Sequence, residues 1–228
     1  LDTVHTPLTM RFEDGIHVSI HEAALTDYSS MQIAGSDKST HLNCDLAPWS
    51  NGDKVRTVVP FMTPWRTIKI ANTAADLLAS HLTLNCNPAN KLGEVSWIKP
   101  SKYIGIWWGM IVGKWTWGEG PRHGATVDRA KKYIDFAAKN GFDEVLIEGI
   151  SAGFTGLFPG DTVTTSFTET TSDFDLELVQ HYAKSKGVSL QSYQESSAST
   201  RNYLIQVDTA FAQLKALGIQ KAKIGHVG

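Results

Sequence analysis

The 228 residues contain no apolar run approaching the roughly 20 that a membrane-crossing helix needs. Cysteine is scarce. Cys44 and Cys86 can make neither a disulfide framework nor a cysteine-only zinc site, and spacing alone does not say whether they pair. Charge of one sign is also lacking: 21 Lys and Arg stand against 23 Asp and Glu. That near-neutral balance leaves no electrostatic footprint for nucleic acid. Leu1 opens the chain without Met or a signal-like segment, and Gly228 closes it just after a strand-like run, so the expectation is a piece of a longer polypeptide. What the chain does have is 42% hydrophobic residues, enough for one large core or two modest ones. It also has seven Trp, of which Trp107, Trp108, Trp115 and Trp117 fall within eleven positions.

Two halves follow different patterns. Residues 1–84 read mainly as β, with short β-branched and apolar runs at Thr9–Phe12, Ile16–Ile20, Met31–Ile33, Thr57–Val59 and Thr67–Ile70. Asp14-Gly15, Gly35-Ser36, Asn51-Gly52-Asp53, Pro60 and Pro64 supply the turns, and Ala74–Ser80 suits a short helix. Part of a β-sandwich is the expected architecture. Residues 85–101 lack periodicity and read as a linker.

Residues 102–228 alternate strand and helix. Strands are expected at Tyr103–Trp108, Glu144–Ile147, Val188–Tyr193 and Lys221–Val227. Thr126–Asn140 is a helix with Val127, Ala130, Ile134, Ala137 and Ala138 on one face and Gly141 as its stop. Asp173 reads as the N-cap of a helix through Lys186, stopped by Gly187, and Arg201–Leu217 reads as a helix stopped by Gly218. Successive βα units give parallel strands with right-handed crossovers. No GxGxxG follows the first of these strands, so a nucleotide-binding open sheet is disfavoured. The expectation is the first four units of a (β/α)8 TIM barrel.

In such a barrel the chemistry sits at the C-terminal strand ends. Those positions hold Trp107 and Trp108, then Glu148, then Glu195, then Gly225 and His226. Indoles that stack on the C–H faces of a pyranose, beside carboxylates that accept from its hydroxyls, are what a sugar site requires. Glycosidic cleavage further needs two carboxyl groups flanking the bond. Bland readings stand beside these. Trp107 and Trp108 can equally be core, Glu195 can start a helix, and one of Trp115 and Trp117 can simply pack. His123 reads as a loop or capping residue, and Glu22 as an exposed strand-end acid.

Several segments together resemble glycoside hydrolase family 97: SIHEAAL (19–25), TPWRTI (63–68), SWIKPSKYIGIWWGM (96–110), GKWTW (113–117), RHGA (122–125), YIDFAAKNGFDEVLIEG (133–149) and QESSASTRNY (194–203). The resemblance implies an N-terminal β-sandwich, a catalytic (β/α)8 barrel, and a calcium-dependent α-glucosidase or α-galactosidase. It implies that Glu22 is a sandwich-domain ligand to the Ca2+, reversing the bland reading, that Trp107, Trp108 and Glu148 line the sugar cleft, and that Glu195 matches a family acid of the third strand end; His226 joins the substrate-binding candidates by its strand-end position alone. Retaining members resemble a pattern with a nucleophilic Asp where this chain has Gly225. Glycine cannot attack carbon, and its missing side chain is expected to leave room for the water of an inverting displacement.

The resulting expectation is an inverting α-glucosidase acting on α-linked gluco-oligosaccharides, periplasmic or secreted. Its general acid and base are expected from later strands, so no catalytic residue is assigned here and the 228 residues alone are expected to be inactive. A retaining α-galactosidase and a non-catalytic carbohydrate-binding protein are the rival readings.

Overall fold

The computed structural model describes residues 3–36, 39–156, 165–196 and 200–225. The chain forms two compact units, Leu1–Val95 and Ser96–Gly228. His226 lies outside the described residues.

The first unit runs β1 (Thr3–His5), β2 (Leu8–Arg11), β3 (His17–Ala23), β4 (Met31–Ser36), β5 (Ser39–Leu46), β6 (Trp65–Ala71), α1 (Ala74–Ala79) and α2 (Leu82–Asn85). The strands form two antiparallel sheets of three, ordered β1-β4-β5 and β2-β3-β6. In the second sheet, cross-strand register puts Leu8, Ile20 and Ile68 in one row and Met10, Val18 and Ile70 in the next. These rows share a face, because directly opposed residues point the same way. The expected strand at Thr57–Val59 does not form. Val58 and Val59 are largely exposed, and Pro60 removes a ladder donor. The added strands are β1 and the polar, alternating β5, which pairs with β4 as a hairpin.

The second unit runs β7 (Tyr103–Ile106), α3 (Trp108–Ile111), α4 (Val127–Asn140), β8 (Glu144–Ile147), α5 (Leu176–Ser185), β9 (Ser189–Glu195), α6 (Thr200–Leu204), α7 (Val207–Leu217) and β10 (Lys221–Gly225). Its four strands are all parallel and lie in chain order, β7-β8-β9-β10. An open doubly wound sheet reverses its order at a switch point; among the described strands there is no reversal. Alternation then sorts the side chains. Ile106, Val145, Ile147 and Leu190 enter one core with Ala130, Ile134 and Ala137 of α4, Val179 and Ala183 of α5, and Leu214 of α7. The opposite face carries Gly105, Glu144, Leu146, Gln191, Tyr193, Glu195, Lys221, Lys223 and Gly225.

Local chemistry explains the boundaries. Thr126 caps α4 by accepting from Arg129 N–H, and Gly141 ends it at φ 68°, the left-handed region that favours glycine. The helix expected from Asp173 begins instead at Leu176, capped by Asp175, because Asp173 is engaged elsewhere. The helix expected over Arg201–Leu217 is two helices. Gln206 breaks it, its carboxamide donating to the carbonyls of Thr165 and Asn202. The first strand ends at Ile106, and Trp108 opens α3.

His123 lies in the loop between α3 and α4, as expected, and is buried. Its Nδ1 lies 2.7 Å from Asp173 Oδ2 and its Nε2 lies 3.1 Å from the Gly149 carbonyl. Both ring nitrogens are engaged, and the two ends of the β8–α5 connection are clamped to one imidazole. Burial, the largest single influence, pushes the Asp173 carboxyl up, but the hydrogen bonds from His123 and Thr171 and the nearby His123 together outweigh it and hold the carboxyl below its ordinary value. A depressed carboxyl stabilises the fold above its unfolded pKa and loses that contribution as pH falls through the folded one. Asp173→Asn is therefore expected to lower Tm by about 2–4 °C near neutrality, an amount discounted for the solvent that reaches Asp173. Melting curves of parent and variant should converge below about pH 4; a gap that widens on acidification contradicts the clamp.

Candidate functional site

Glu148 follows the fully buried strand β8 and is itself only 2% exposed. A carboxylate placed there must be paired. Lys223 Nζ of β10 meets its Oε1 at 2.8 Å, reaching across β9. The same ammonium stands 5.5 Å from the centre of the Trp107 ring and 5.2 Å from that of Tyr193, within cation–π range.

Trp107 is carried just beyond β7. Its indole folds back over Gly105, where an added Cβ would come within 2.9 Å of the ring. Trp108 packs edge-on against it, with ring centres 5.2 Å apart, and remains 59% exposed. Glu195, the last residue of β9, is 4% exposed and accepts a short hydrogen bond from the Tyr193 hydroxyl two residues earlier. Burial, then that hydrogen bond, then the nearby charges of Glu148 and Glu195 push the phenol's pKa upward. The Tyr193 hydroxyl thus keeps its proton and donates it in a hydrogen bond to Glu195.

Register pairs Gly225 with Glu195, and a Cβ on Gly225 would lie 2.7 Å from Glu195 Oε2 and closer still to the Tyr193 hydroxyl. The glycine makes room for the Tyr193–Glu195 pair.

Trp115 has a packing role, lying between the Gly109 backbone and the Arg129 guanidinium, 3.9 Å from its ring centre. It and Trp117 also border an open cavity of about 630 Å³ with Glu119, Arg122 and Thr155.

Indoles, a paired carboxylate and a tyrosine-bound carboxylate thus share the C-terminal edge of one parallel sheet. Residues 107–228 match Glycoside hydrolase 97, and residues 1–88 match Glycosyl-hydrolase 97 N-terminal. The chain belongs to glycoside hydrolase family 97. A family 97 enzyme from Pseudoalteromonas sp. strain K8, solved in complex with acarbose, is 47% identical with a TM-score of 0.89, over 99% of this chain and 34% of its own. A complex of a variant of that enzyme with panose matches equally well. The retaining α-galactosidase of Bacteroides thetaiotaomicron is 26% identical over 203 residues, 81% of this chain and 29% of its own length. This chain therefore spans about a third of the relatives it matches.

In the family 97 chain, Trp107, Trp108, Glu148 and Glu195 stand at that shared edge, and His226 falls outside the described residues. Lys223 and Tyr193 were not anticipated. Strand alternation held the signal, since each lies two residues before a strand-end position and so faces the same side.

Glu22 belongs to the other unit, within β3 rather than at its end. It is buried, and its Oε2 accepts from Met31 N–H at 2.8 Å and from the Thr6 hydroxyl at 3.3 Å. Its Oε1 faces Arg66 Nη2 at 3.3 Å, directly across the strand pair. Calcium takes six to eight oxygens, often several of them carboxylate. Among the described residues no group of three or more His, Cys, Asp or Glu could hold a metal, so any metal at Glu22 would need its other ligands from outside them.

Gly225→Ala is expected to cost about 1–3 kcal/mol, the range for overpacking a filled site. In a Tyr193→Phe background the cost should shrink, because the closest atom has gone. Urea midpoints of the two single variants and the double variant check this, and strict additivity contradicts it.

Proposed function

We propose that the polypeptide carrying this chain is an inverting α-glucosidase acting on terminal α-linked glucose of oligosaccharides, with residues 102–228 forming the first half of a (β/α)8 barrel. The observation that carries the reading is Gly225. The strand end that holds a nucleophilic Asp in retaining family members has no side chain here, and the space is filled by Tyr193 and Glu195. Inversion needs a general acid and a general base flanking the bond. Glu148 is already engaged, its Oε1 held 2.8 Å from Lys223 Nζ. It suits an acceptor for a sugar hydroxyl beside the Trp107 and Trp108 platform. Acid and base are then supplied from elsewhere in the polypeptide.

The glucose assignment draws support from the 47% identical enzyme, solved with acarbose and with panose, the latter an α-linked glucose trisaccharide. A retaining α-galactosidase is the second reading, favoured by the name of the Bacteroides relative. It lacks its nucleophile at Gly225. A calcium requirement is proposed for the whole polypeptide, with further ligands outside the described residues, and no step here depends on it.

Proton NMR of fresh panose digests tests both readings. β-Glucose is expected as the first anomer released, with p-nitrophenyl α-galactoside cleaved at least about 100-fold more slowly, a gap that a mispaired hydroxyl readily produces. α-Glucose appearing first, or preferred galactoside cleavage, overturns the assignment.

A further inference from the structure

Beyond the paired acids expected of a glycosidase, the sheet edge carries a lysine with three simultaneous contacts. The inference rests on the glycosidase reading above.

We infer that Lys223 is a positioning residue of the sugar site. Its one ammonium sets the Glu148 carboxylate and the Trp107 indole together, so that hydroxyl acceptor and stacking platform meet a sugar as a preset pair. The contacts are the 2.8 Å bond to Glu148 Oε1 and the ring approaches of 5.5 Å to Trp107 and 5.2 Å to Tyr193. An ammonium has three donors and no acceptor, so it can serve a carboxylate and two ring faces at once.

Lys221 supplies the contrast. Two residues earlier on the same face, it bonds Glu144, the Ser101 hydroxyl at 2.7 Å and the Lys99 carbonyl at 3.4 Å, toward the N-terminal ends of the strands. That network ties the sheet together and touches no aromatic platform. Lys223 also reaches across β9, but at the strand ends, where its partners are the strand-end acid and the indole. Its side chain is 43% exposed while Glu148 is shut in, so the ammonium borders open space as well as its partners.

The test uses the whole polypeptide with panose as substrate. Lys223→Met is expected to lower kcat/KM by about tenfold to a hundredfold, mainly through KM, the scale of a lost hydrogen bond to a charged group. Lys223→Arg should recover most of this, since a guanidinium keeps the charge, bonds a carboxylate and stacks on a ring. In a Glu148→Gln background, Lys223→Met should add little, because the two act as a unit. Lys221→Met is the structural control, expected to lower Tm with kcat/KM unchanged.

A substrate-free arm reads the Trp107–Trp108 exciton couplet by circular dichroism, identified by its loss in Trp107→Phe. It should weaken in Lys223→Met and persist in Lys223→Arg. The inference is overturned if Lys223→Met behaves like Lys221→Met, losing Tm while kcat/KM and couplet stay at parental values. If the parent does not hydrolyse panose, the glycosidase reading falls, and an unchanged couplet alone still overturns the role of Lys223.

Discussion

The Glu148–Lys223 ion pair sets the terms for the whole edge of the parallel sheet. A carboxylate that closes a buried strand carries a desolvation cost of several kcal/mol unless a cation meets it. The cation comes from two strands away, so its stem must cross β9 over the Tyr193 ring. Tyr193 is thereby pinned beneath an ammonium, and its hydroxyl is left to bond Glu195. Four side chains on three strands are placed by one charge that had to be neutralised.

Two glycines make that placement possible. Gly105 lets the Trp107 indole lie back along β7, within reach of the lysine, and Gly225 leaves the volume that Tyr193 and Glu195 fill. Their use is steric rather than conformational, since neither has a positive φ. A larger side chain at either position would move the aromatic ring or the acid, not the strand.

The parallel unit was largely legible in the sequence because its signals are local and repeated: an apolar helix stripe, a stop glycine, a short apolar strand. Glu144–Ile147 and the α4 helix came out of periodicity almost unchanged. The errors arose where a side chain took a partner from outside its own segment. Asp173 has the composition of a helix cap but binds His123, fifty positions away in sequence. Gln206 has the propensity to continue a helix but bonds the Thr165 carbonyl instead. In the first unit, β5 is polar along most of its length, and its strand character comes from pairing with β4. The acids and indoles of the site could be read as strand-end residues. Alternation gave the face of Lys223 but not its partners, because those depend on which strand lies two places away.

The two lysines of β10 show how a sheet separates support from function along its length. Strands lie about 4.8 Å apart, so next-but-one neighbours are roughly 10 Å apart, a distance an extended lysine and a glutamate can span together. Lys221, level with Leu146, reaches back along β8 to Glu144, whereas Lys223 meets Glu148 just past the end of that strand. The lower lysine is further held by Ser101 and Lys99. The upper one exchanges those polar contacts for two aromatic rings. A cation shared between a carboxylate and ring faces keeps their geometry while retaining hydrogen-bonding capacity, and it stands where the strands end and a ligand can arrive.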